Sequence, residues 1–203
     1  MSAGFKTRRR LTGRIAGIIV VGVAMLAPAL PMALAGGPTC FGMTPTILGD
    51  DRGERIKGTS GRDVIIGLGG RDIIVAGGGN DVVCGRAGND VLRGGPGNDS
   101  MNGNRGRDRV TGVGGADLIR GGPRDDRLNL GKKERGDDHV FGGSGNDTLR
   151  AGRGRDRLFG NHGNDSLGEG RMDARVDLFS GGLGVDTCLA GAEDRVRNCE
   201  ARS

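Results

Sequence analysis

The chain has 203 residues, 44 of them glycine, and is 34% hydrophobic and 2% aromatic, with no Trp or Tyr. Glycine costs the most backbone entropy on ordering, and few large side chains offset it, which excludes an ordinary globular core and calls for another source of folding free energy. The formal net charge is +5, but that excess lies entirely in the first 35 residues, so bulk charge excludes rather than supports nucleic-acid binding.

Residues 1–35 read as a signal peptide. Lys6, Arg8, Arg9, Arg10 and Arg14 form a basic start, an apolar stretch runs from Ile15 to Leu30, and Ala33-Leu34-Ala35 supplies the small residues of a cleavage site after Ala35. Pro28 and Pro31 interrupt the stretch as a membrane span. The expected product is a secreted, extracellular protein with no stable membrane anchor after cleavage.

Residues 36–57 read as an N-terminal cap with a degenerate repeat, in which Ile47 and Ile56 hold the phase of the later repeats and Glu54 stands in the aspartate slot. Residues 58–129 form the first regular block, with Asp63, Asp72, Asp81, Asp90, Asp99, Asp108, Asp117 and Asp126 recurring every nine residues. Residues 130–141 hold a twelve-residue irregular repeat ending on Asp138 and Val140. Residues 142–203 form the second block, with Asp147, Asp156 and Asp165, another twelve-residue step to Asp177, then Asp186 and a shortened last unit at Asp194. Two residues after each aspartate, from Ile65 through Phe179 to Cys188, stands an apolar residue. A run without exception in so polar a chain marks a real register.

Each unit divides into a glycine-rich turn and a minimal strand whose middle residue points inward. Two units make one turn of a roll, so aspartates of alternate units line opposite edges. Rungs about 4.8 Å apart let an ion between stacked turns reach oxygens of both. Carboxylates and turn carbonyls are hard ligands, and no His or Cys ladder suits a softer metal.

Gly94-Gly95-Pro96-Gly97-Asn98-Asp99 and Gly142-Gly143-Ser144-Gly145-Asn146-Asp147 resemble the hemolysin-type calcium-binding repeat of RTX proteins. The resemblance implies an all-β fold, a parallel β-roll (a right-handed β-solenoid) of nine-residue repeats at two repeats per turn. It implies Ca2+ as the bound ion, with Asp63, Asp72, Asp81, Asp90, Asp99, Asp108, Asp117, Asp126, Asp147, Asp156, Asp165 and Asp186 as ligands. Asp138 and Asp177 adjoin the irregular repeats and are left out. Arg109, Arg127 and Arg157, each directly after its aspartate, are expected to neutralise part of the carboxylate columns.

Cys40, Cys84, Cys188 and Cys199 allow three disulfide pairings. Cys40–Cys84 and Cys188–Cys199 is the expected one, placing a bond near each end of the array. Cys84 falls at an outward position, so its bond would lay residues 36–57 over apolar strands such as Val64-Ile65-Ile66.

His139 and His162 stand alone, without a zinc-binding helix motif, and no nucleophile, base and orienter occur together outside the repeats. The expectation is a non-enzymatic calcium-binding protein with a structural or interaction role. The alternative is an accessory or adhesin-like surface-binding solenoid, ahead of a secreted hydrolase. The expected partners are calcium ions and a cell-surface or extracellular protein, not nucleic acid.

Overall fold

The computed structural model describes residues 37–131, 136–169, 175 and 177–202. Residues 1–35, expected from the sequence to be a signal peptide, and part of each irregular repeat lie outside the described residues. In chain order the strands are β1 (Ile47–Leu48), β2 (Arg55–Lys57), β3 (Val64–Gly69), β4 (Ile73–Val75), β5 (Val82–Ala87), β6 (Val91–Pro96), β7 (Ser100–Arg105), β8 (Arg109–Gly114) and β9 (Leu118–Pro123). They continue as β10 (Arg127–Asn129), β11 (His139–Ser144), β12 (Thr148–Ala151), β13 (Arg157–His162), β14 (Ser166–Glu169), β15 (Leu178–Leu183), β16 (Thr187–Leu189), β17 (Arg195–Arg197) and β18 (Ala201–Arg202).

Odd-numbered strands form one nine-stranded sheet and even-numbered strands another. The strand pairs within both sheets are parallel, in the register that two nine-residue units per turn require: Ile65 pairs with Val83, and Ile74 with Leu92. This is the parallel β-roll. The twelve-residue units leave that register intact, for Ile119 still pairs with Val140 and Leu158 with Phe179. The extra residues fall between strands, not within them.

The inward residues of the repeat make one continuous column between the sheets. From Ile65 to Cys188 each is at most 1% exposed, joined at the first rung by buried Ile56 and flanked by half-buried Ile47 and Val196. One inward side chain per short strand suffices to fill the space between the sheets, which is how a chain so poor in large side chains still encloses a core.

Both expected disulfides are present, Cys40–Cys84 and Cys188–Cys199. Cys40 packs on Val64, Ile66, Val82 and Cys84, with Phe41 and Met43 beside it. The cover is narrower than residues 36–57. The segment around Cys40–Met43 lies over the outer face of the odd sheet, whereas β1 and β2 continue the roll, in register with β3 and β4. The first bond closes 44 residues and the second 11. Loop entropy then makes the first worth about 4 kcal/mol and the second about 3. Replacing Cys40 and Cys84 by Ala should therefore lower the midpoint of urea unfolding more than replacing Cys188 and Cys199.

Candidate metal centre

The turns between the sheets stack into two edges. Asp63, Asp81, Asp99, Asp117, Asp138, Asp156 and Asp177 form a column on the first edge. Asp72, Asp90, Asp108, Asp126, Asp147, Asp165 and Asp186 form a column on the second. All fourteen side chains are buried, none more than 6% exposed.

From Asp81 onward each aspartate spends one oxygen in the same way. Its Oδ1 accepts the backbone N–H of the aspartate one turn earlier, as in Asp63 to Asp81 at 2.8 Å and Asp90 to Asp108 at 2.8 Å. The ladder crosses both irregular units: Asp117 donates to Asp138 at 2.6 Å and Asp156 to Asp177 at 2.8 Å. Asp138 and Asp177, left out by sequence reasoning, thus occupy full ladder positions. The first column ends on Asp194, and the second runs from Glu54 to Glu200. A second ladder lies beside these. Oδ1 of Asn80, Asn89, Asn98, Asn146 and Asn164 accepts the backbone N–H one turn later, which accounts for asparagine before so many of the aspartates.

The other carboxylate oxygen sets the two edges apart. On the second edge the Oδ2 atoms of all seven aspartates are buried with no hydrogen-bond partner. On the first edge this holds for Asp81 and Asp99, whereas Asp63 Oδ2 accepts from Thr59 and Asp156 Oδ2 from Gly152. Both irregular units also fall on the first edge, leaving the second regular from Asp72 to Asp186. Near the end of the first edge, Glu169, Asp177 and Asp194 bring oxygens within 4.8 Å of one another.

A buried acceptor with no donor needs a cation or a proton. Burial pushes these carboxyls up, against the lowering effect of the ladder N–H. Asp72, Asp90 and Asp108 are held at about 6. Asp99, Asp138, Asp147 and Asp177 are held at about 7, and Asp117 and Asp126 at about 8. Neighbouring carboxylates of the columns add to the rise at most of these. Arginine does not relieve it: Arg109, Arg127 and Arg157 project from the sheet faces and form no ion pair with described residues, the one such pair being exposed Arg107–Asp125 at 3.2 Å.

The oxygens fit a hard divalent ion. A Cβ on Gly67 would run into Asp72 Oδ2 and lie 2.8 Å from the Gly85 carbonyl oxygen of the next turn. A Cβ on Gly160 would likewise meet Asp165 Oδ2 and, at 2.5 Å, the Gly181 carbonyl oxygen. Glycine five residues before each second-edge aspartate therefore keeps open a space lined by carboxylate and carbonyl oxygens from successive turns, the donor set of calcium. The family description of the RTX calcium-binding nonapeptide repeat matches in four copies, at residues 48–83, 85–110, 111–132 and 134–167. None of the curated proteins matches the chain. The match stops before the second irregular unit, but ladder and core continue through it unchanged to Glu200. The chain belongs to the RTX calcium-binding nonapeptide repeat family, and calcium is the ion of its repeats.

Proposed function

We propose that this is an exported structural protein whose roll folds when calcium fills the second-edge column. The observation that carries the reading is the unbroken run of partnerless buried oxygens from Asp72 to Asp186. Asp72, Asp90, Asp108, Asp126, Asp147, Asp165 and Asp186, with Asp81 and Asp99 on the other edge, would hold the ions. Asp63, Asp117 and Asp156 stand in the same columns as weaker sites, two of them with the second oxygen already engaged. Bound calcium supplies the positive charge these carboxylates lack, so binding energy becomes folding energy. The two disulfides suit an oxidising compartment, in line with export on the basic, apolar leader.

Asn keeps the Oδ1 acceptor of the ladder and removes only the charge, so Asp→Asn variants test the site without breaking the stack. Calorimetric titration with calcium should give fewer bound ions for Asp108→Asn than for the parent, and an unchanged number for Asp63→Asn. Equal stoichiometry in all three proteins would remove the second-edge assignment.

A further inference from the structure

Apart from Glu169, every charged residue in the described strands is basic. The two sheet faces nevertheless differ. On the odd face three arginines of the central strands are engaged. Arg86 donates to the Thr39 carbonyl, Arg120 lies 5.1 Å over the Phe41 ring, and Arg157 is 2.8 Å from the His139 ring nitrogen. The even face has no such cover. Arg93, Arg109, Arg127 and Arg150 stand exposed on four successive strands, β6 to β12. None makes an ion pair or side-chain hydrogen bond with any described residue. Arg109 pairs directly with Arg127, a like-charge contact that costs stability with nothing to offset it. Thr111, Asn129 and Thr148 fill the positions between them, and with Arg109, Arg127 and Arg150 they line a groove of about 200 Å³.

We propose that this stripe binds a linear anionic polysaccharide. Rungs about 4.8 Å apart present one guanidinium per strand in a band of two neighbouring rows, Arg109 beside Arg127 in one and Arg93 and Arg150 two residues along in the other, and each planar fork suits a carboxylate or sulfate. The interleaved Thr and Asn offer donors and acceptors to sugar hydroxyls. A base-stacking polymer finds no aromatic ring on these strands. The strands are paired on both sides, so a peptide has no free edge to extend. A second copy is unsuited as occupant, because both faces are basic and the column carboxylates are buried at the edges. The proposal needs the roll folded but not a particular calcium stoichiometry, so the two readings fail separately.

The test is fluorescence anisotropy of labelled dextran sulfate and hyaluronate with the full chain in saturating calcium. Neutral dextran and single-stranded DNA are the comparisons, and circular dichroism confirms that each variant is folded. The expected result is salt-sensitive binding of dextran sulfate, hyaluronate or both, the pattern telling sulfate from uronate recognition, with none to dextran. Arg109→Gln with Arg127→Gln should weaken binding about tenfold or more. Arg71→Gln with Arg195→Gln, which removes equal charge elsewhere, should leave it within about twofold. Arg109→Lys with Arg127→Lys keeps charge without the fork and should fall between. Equal losses in both Gln pairs, tighter binding of DNA, or no binding of either anionic polymer would overturn the proposal.

Discussion

Stripped of calcium, the protein should be more stable at pH 5 than at pH 8. Its column carboxyls hold their protons to about 6 at Asp90, about 7 at Asp147 and about 8 at Asp126 when folded. They return to the ordinary carboxylate range on unfolding. The folded state therefore binds more protons across this interval. Stability from these groups is complete below the unfolded value and is lost as pH rises through the folded ones. Each unit of raised pKa corresponds to about 1.4 kcal/mol, so ionising a few such groups consumes much of a typical 5–15 kcal/mol, as an order of magnitude. Protein freed of metal on a chelating resin should keep its sheet circular dichroism at pH 5 and lose it towards pH 8. Calcium at pH 8 should restore it, and the apparent calcium affinity should drop on acidification as protons compete for the same oxygens. Stability that is flat or rising between pH 5 and 8 without calcium would mean that the buried columns do not control folding.

The second large effect concerns one glycine. Gly106 sits in a second-edge turn at φ +145°, and a Cβ there would run into the Gly88 carbonyl group of the neighbouring turn, its carbon at 2.6 Å. Backbone blocks the added atom, and the conformation itself disfavours an L side chain. Gly106→Ala should cost roughly 2–4 kcal/mol, read as a shift in urea midpoint at saturating calcium. Gly61 is the matched control. A Cβ there meets only Thr59 Oγ1, at 3.8 Å, so Gly61→Ala should be neutral or stabilising by up to about 1 kcal/mol through the unfolded chain. Equal effects at the two sites would show that the stacked turns do not sit as closely as described.

The register was legible because it repeats: one apolar residue per unit must face inward, and Ile65 through Cys188 do so without exception. The disulfides were legible from position alone. Less visible was the division of labour within each aspartate, because an oxygen bonded to the backbone of the previous turn leaves no trace in a linear pattern. The same blindness excluded Asp138 and Asp177. An irregular spacing looks like an interruption in one dimension, but a roll needs only its strands in phase, and these stay paired on either side of both irregular units. The arginines went astray for a related reason. Sequence places Arg109 beside Asp108, whereas the pleat sends one to the sheet face and the other into the edge. That both irregular units share an edge follows from counting units in pairs, but matters only once the edges are seen to differ.

The two disulfides have a consequence for how the array comes apart. In a stacked array each turn touches only its neighbours, so thermal opening ordinarily starts at an end, where one contact is missing. Here Cys40 is tied to β5, two odd strands beyond β1, and Cys199 is tied to β16. Both tips are welded to the turns inside them. Peeling from either described end is held back by a bond, and opening is expected to begin in the interior, beside the irregular units of the first edge. Two bonds at the extremities thus turn a zipper that would fray into a beam that must crack in the middle.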